Sequence, residues 1–79
     1  MNFVTLTENI IKKIVSDPES VSVKEFETEE ENTIQIEVLI SADDMGKVIG
    51  KQGRIAKAIR AVVKAAAAKE DKKVIVDIA

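Results

Sequence analysis

Apolar residues recur along this chain with two different periods, and the changes of period mark its elements. Leu6, Ile10, Ile11 and Ile14 repeat at helical spacing behind Thr5-x-x-Glu8, which has the form of a capping box, so the pattern predicts an opening helix. Asp17-Pro18 is its expected stop. Lys12 and Lys13 fall in its last turn, where the helix dipole favours cations. Residues 33–40 alternate strictly, with Ile34, Ile36, Val38 and Ile40 set between Thr33, Gln35, Glu37 and Leu39, the pattern of a strand with one apolar face. Residues 21–28 read as another strand whose phase shifts between Val23 and Phe26, as a bulge would shift it. Glu29-Glu30-Glu31-Asn32 is then the tip of a hairpin. Ser41-x-x-Asp44 caps a short helix carrying Met45, Val48 and Ile49. Helical spacing returns over residues 54–69, where Ile55, Ile59, Val62 and Ala66 predict the core face, and residues 74–78 predict a last strand.

Composition narrows the class. A chain of 79 residues makes one small domain, which buries only about 60–65% of its unfolded surface and needs good packing to be stable. The absence of cysteine excludes disulfides and thiolate metal sites, and the absence of histidine removes the commonest general base. The paired carboxylates lie on expected solvent faces, so no catalytic residues are assigned. Asp43 and Asp44 are explained by their place in a first helical turn, and the acidic hairpin by solvation, so neither predicts a metal site. No apolar run approaches the roughly 20 residues of a membrane span, and no signal-peptide layout begins the chain. A cytoplasmic protein without cofactors is the expectation.

The net charge of −2 conceals a sharp division. Residues 1–44 carry −8, residues 45–69 carry +7 with no acid among them, and residues 70–79 carry −1. A polyanion responds to the local patch rather than to the total. The basic block contains Lys47, Lys51, Arg54, Lys57, Arg60, Lys64 and Lys69, and at its head stands Gly50-Lys51-Gln52-Gly53. Glycines can take positive φ and admit another backbone at close range, while the helix that follows aims free N–H groups at the same spot. The spacing excludes other glycine loops: a Walker A loop needs four residues between its glycines and Ser or Thr after the Lys, and a dinucleotide fingerprint needs Gly-x-Gly. Arg54, Lys57, Arg60 and Lys64 read as a basic helix face. Ala58, Ala61, Ala65 and Ala68 form a stripe of small residues, suited either to close packing on the sheet or to contact with a second copy or partner.

Val48-Ile49-Gly50-Lys51-Gln52-Gly53 matches the (Val/Ile)-Ile-Gly-x-x-Gly core of KH domains, and the run from Gly46 to Lys64 resembles the small bacterial single-KH RNA-binding proteins of the KhpA family. The resemblance covers nearly the whole chain. It implies an α+β fold of the type II KH kind, helix-strand-strand-helix-GxxG-helix-strand, with a three-stranded mixed sheet covered by helices and residues 1–79 as one KH domain. One departure is visible: many KH domains carry a large aliphatic where this chain has Ala56.

These readings converge on single-stranded RNA binding. About four nucleotides would cross a groove bounded by the Val48-Ile49 helix, the loop and the edge of the second strand. Gly50, Lys51, Gln52 and Gly53 would hold phosphates, with Lys47, Arg54 and Lys57 adding attraction. Met45, Val48, Ile49 and Ile55 are the expected apolar bed. Base stacking on aromatics is not the device, because Phe3 and Phe26 are the only aromatic residues and lie outside the motif. The resemblance further implies an RNA chaperone or post-transcriptional regulator that forms a homodimer or pairs with a larger KhpB-like KH protein and influences cell shape. The alternatives are a protein-interaction adaptor with a vestigial nucleic-acid site, and a single-stranded DNA binder.

Overall fold

The computed structural model describes residues 2–78, with the side chain of Lys51 outside the described part. Helix α1 spans Phe3–Lys12. Its N-cap is Asn2 rather than Thr5: the Asn2 side chain accepts from the Thr5 N–H at 3.1 Å. Asn caps at least as well as Thr, and the earlier start lines up Phe3, Thr7 and Ile11 on one buried face. Thr7 is tolerated there because its hydroxyl donates to the Phe3 carbonyl at 2.7 Å. The helix ends well before Asp17-Pro18, and Pro18–Ser20 forms a single 3₁₀ turn instead. Lys12 pairs with Glu8 at 3.3 Å on the surface, a contact worth a few tenths of a kcal/mol.

Strands β1 (Ser22–Glu27), β2 (Thr33–Leu39) and β3 (Lys73–Ile78) form a mixed sheet in the order β1-β2-β3. β1 pairs antiparallel with β2 from Ser22↔Leu39 to Glu27↔Ile34 without interruption, so the expected bulge is absent. The change of phase arises because Phe26 points to the open face of the sheet, where it is 45% exposed opposite Gln35. Ile36 and Val38 of β2, with Val74, Val76 and Ile78 of β3, face the helices and join Ile11, Val15, Val48, Ile59 and Val63 in the core. At the hairpin, the Thr28 hydroxyl donates to the Thr33 carbonyl at 2.9 Å, and Asn32 takes a left-handed φ of 58°. Glu29, Glu30 and Glu31 are exposed at this tip.

Between β2 and β3 runs α2, Ala42–Ala68, one helical stretch of 27 residues where two helices and a loop were expected. A straight helix of that length would measure about 40 Å, longer than the 35 Å maximum extent of the molecule. It bends at Gln52 and Gly53, whose φ values of 66° and 67° are left-handed. Beyond this elbow the buried line is Ala56, Ile59, Val63 and Ala67 rather than Ile55, Ile59, Val62 and Ala66. Both lines have helical spacing, and packing against α1 and the sheet selects the one in which Ala56 and Ala67 flank Ile59 and Val63. Val62 is consequently 50% exposed, and Ile55 and Ala66 lie at the margin of the core. Ala58, Ala61, Ala65 and Ala68 are all exposed, so the alanine stripe does not pack on the sheet. Ala56, the departure from the commoner KH pattern, is buried within the core.

Candidate nucleic-acid interface

The first limb of α2 is fixed by Asp44. Ser41 is the N-cap, its hydroxyl accepting from the Asp44 N–H at 3.2 Å and donating to Asp44 Oδ2 at 2.9 Å. The same carboxylate accepts from the backbone N–H groups of Ser16 at 2.8 Å and Asp17 at 3.1 Å, so it ties the end of the α1 connection to the start of α2. The Ser16 N–H does most to hold the Asp44 carboxyl below its ordinary value, with Ser41, Asp17 and Lys47 helping and burial opposing them. Spacing alone marked Asp44 as a capping residue; its long-range partners have no signature in sequence. Lys47 donates to the Ile14 carbonyl at 2.9 Å, closing the other side of this junction.

The elbow itself carries the site. Among the described residues, Asn32, Gln52 and Asp71 are the non-glycine residues with positive φ. Asn and Asp tolerate this conformation through local hydrogen bonding, whereas Gln lacks that compensation, so the strain falls on Gln52. Gly53 meets the same demand without a Cβ. Gly50 is different: its backbone is right-handed, and a Cβ added there would meet nothing within 4 Å. A glycine inside a helix costs about 1 kcal/mol relative to alanine. With no reason for it inside the chain, its open surface is suited to a ligand backbone at close range. Gly50→Ala is therefore expected to raise stability by up to about 1 kcal/mol, and Gly53→Ala to lower it by about 1–2 kcal/mol through the left-handed φ. Denaturant midpoints at unchanged m-value check both.

Past the elbow, positions 57, 60 and 64 fall within about 60° of one another on the helix, while position 54 lies about 60–120° away. The expected basic face is thus divided. Lys57, Arg60 and Lys64 lie on the side towards β3, where Arg60 Nε donates to the Val76 carbonyl at 3.0 Å. Arg54 instead joins Ile10, Ile14, Ile55, Ala58, Ile59 and Val62 around an apolar groove of about 340 Å³ between α1 and the second limb. Val48 is 1% exposed, so it belongs to the core and cannot touch a base; Ile49, 41% exposed, remains at the surface, and Met45 is half-buried. The strand bordering the basic limb is β3. β2 is the central strand, paired on both sides, and has no free edge to offer. The Lys73 N–H donates to the Asn32 carbonyl at 2.9 Å, next to the first residue of β2. In a parallel ladder, alternate residues point to opposite edges, so the N–H and C=O groups of Val74, Val76 and Ile78 face away from β2.

A family model described as the KH domain of KhpA and KhpB matches residues 4–78. The chain belongs to the KhpA/KhpB KH-domain family. The RNA-binding protein KhpA of Clostridium perfringens is 62% identical over 73 residues, covering 92% of this chain and 95% of that protein. The KhpA of Clostridium acetobutylicum is 55% identical over the same coverage, and that of Listeria monocytogenes 49% identical over 70 residues, covering 89% and 90%. These relatives are named for RNA binding rather than for a reaction. The α+β fold with a three-stranded mixed sheet agrees with membership, and no helix among the described residues is long and apolar enough to cross a membrane.

Proposed function

We propose that this chain is a non-enzymatic KH domain, residues 1–79 acting as one unit, that binds single-stranded RNA across the elbow of α2. The observation that carries the reading is the combination at Gly50, Gln52 and Gly53: a strained backbone and a helical glycine without an internal reason, at the head of the most basic limb of an otherwise acidic chain. Backbone groups of the elbow, with Lys51 and Gln52, hold phosphates. Lys57 and Lys64 extend the attraction along the limb, while the free edge of β3 faces the bases. Ile49 forms the exposed part of the bed; Arg54 and Ile55 flank the elbow on its other side. Fluorescence anisotropy of a labelled RNA of about ten nucleotides across a salt series tests this: affinity should fall steeply with salt. Competition by DNA of the same sequence separates RNA from DNA binding.

The outward stripe of Ala58, Ala61, Ala65 and Ala68, with Val62 beside it, supports self-association or pairing with a larger KhpB-like KH protein. One small KH site binds weakly, and a tethered second site multiplies avidity. In this reading the chain acts as an RNA chaperone and post-transcriptional regulator of the cytoplasm, with influence on cell shape as the downstream effect. Val62→Asp is expected to convert a self-associated form to monomer in light scattering, because it would place a carboxylate in the apolar contact. An adaptor without RNA affinity would show this loss of assembly but no binding in the anisotropy series.

A further inference from the structure

Among the described residues five large apolar side chains are exposed, and three of them, Phe26, Leu39 and Ile75, share the face of the sheet turned away from the helices. Apolar residues scattered singly over a surface need no explanation, but a concentration on one face does. The strand registers fix their arrangement. Phe26, Gln35 and Ile75 form one cross-strand row, and Lys24, Glu37 and Asp77 form the next on the same face, with Leu39 beyond it on the central strand. A strand spacing of about 4.8 Å sets Phe26 and Ile75 about 10 Å from each other, as the two rims of a trough floored by Gln35, Glu37 and Leu39. That width suits one α-helix, about 10 Å across, laid along β2. Successive floor positions lie about 7 Å apart and helical positions i, i+4 and i+8 about 6 Å, so the two repeats keep step over three positions.

The charges select the sequence of that helix. The middle row holds one cation and two adjacent carboxylates, and no ion pair among the described residues engages them. We infer that the open face of the sheet binds an amphipathic helix of another protein, apolar at i and i+8 and carrying Lys or Arg at i+4. The first apolar side chain wedges between Phe26 and Ile75, the cation meets Glu37 and Asp77, and the second apolar side chain covers Leu39. RNA is a poor occupant, because the two carboxylates oppose its phosphates. A second copy stacked face to face about the line of β2 is poor as well, since Glu37 would meet its own image. The helices pack on the other face of the sheet, so this site is separate from the elbow and does not depend on RNA binding there.

The probes are two labelled, end-capped peptides of about 20 residues, built of Ala and Gln with Leu at i and i+8 and either Lys or Glu at i+4. In fluorescence anisotropy the natural chain should bind the Lys peptide about fivefold more tightly than the Glu peptide. Asp77→Lys gives the middle row two cations and one carboxylate and sets the new ammonium beside Glu37, so the fold is kept and the order of the two peptides should reverse. Phe26→Ser should weaken both peptides severalfold. Affinity for a short RNA should be the same in all three proteins. No binding of either peptide overturns the inference, as does a Phe26→Ser chain that binds them as well as the natural one. A preference that Asp77→Lys abolishes without reversing, or leaves unchanged, also overturns it, because attraction to the acidic chain as a whole would then suffice. If the Val62→Asp chain still dimerises in light scattering and adding Phe26→Ser abolishes that dimer, the face belongs to a second copy and the helix is overturned.

Discussion

Lys51→Asp with Gln52→Asp is expected to weaken binding of a short single-stranded RNA by at least about tenfold, equivalent to about 1.4 kcal/mol, and to flatten its salt dependence. The pair removes one cation and introduces two anions at the elbow. Each lost phosphate contact lowers the logarithmic salt slope by about one, and the new carboxylates add repulsion. The fold should survive, because both glycines remain and Asp is better suited than Gln to the left-handed φ of 66° at position 52. Circular dichroism should therefore be unchanged, and the thermal midpoint equal or slightly higher. Affinity and salt slope equal to those of the natural chain would show that the elbow is not the phosphate clamp, and would favour the adaptor reading.

Asp44→Asn is expected to lower the melting temperature by several degrees at neutral pH, whereas Asp43→Asn, one residue earlier on the exposed side of the same turn, should change it little. The amide keeps one acceptor but not the charge, and its NH₂ would oppose a donor among the Ser16 N–H, the Asp17 N–H and the Ser41 hydroxyl. The pH dependence has a definite sign. Folding holds the Asp44 carboxyl below its ordinary value of 3.8, so the unfolded chain takes up a proton first as the pH falls. The stabilisation is complete above that ordinary value and is lost as the pH drops through the lowered one. Natural and variant melting curves should differ at pH 7 and converge in strong acid. A constant gap across the acid limb would mean that the carboxylate charge contributes nothing at this junction.

Most of the secondary structure was legible because its signals are local. The alternation of Ile34, Ile36 and Val38 gave β2, Ser41 gave the start of α2, and the glycine motif gave both the family and the place of the bend. The errors have a common origin in geometry between elements. Phe26 looked like a break in phase because an exposed aromatic was counted as a buried one. Val62 was placed on the core face because its line and that of Val63 both have helical spacing and only packing against α1 and β3 selects between them, and Arg54 was grouped with Lys57, Arg60 and Lys64 although helical angles set it about 60–120° away from them. Val48 belongs to the same motif as Ile49 yet is buried, since consecutive residues on a helix face different ways. The edge role passed from β2 to β3 because strand order is a tertiary property. Asp44 and Arg60 make their decisive contacts 28 and 16 residues away, where composition and spacing are silent.

The acidic hairpin described with the sheet has a consequence for the length of RNA that one copy can hold. The Lys73 N–H to Asn32 carbonyl bond places the hairpin at the beginning of β3, beside the end of α2, while the elbow lies at the opposite end of the second limb. Residues 54–68 separate the two ends by about 22 Å of helix. A strand entering the proposed groove at the positive elbow therefore travels towards the exposed carboxylates of Glu29, Glu30 and Glu31, which repel its phosphates. On the proposed path the hairpin would serve as an end-stop: a single copy is expected to gain little affinity once the RNA exceeds the few nucleotides that fill this span, so that long transcripts would be covered by several copies side by side.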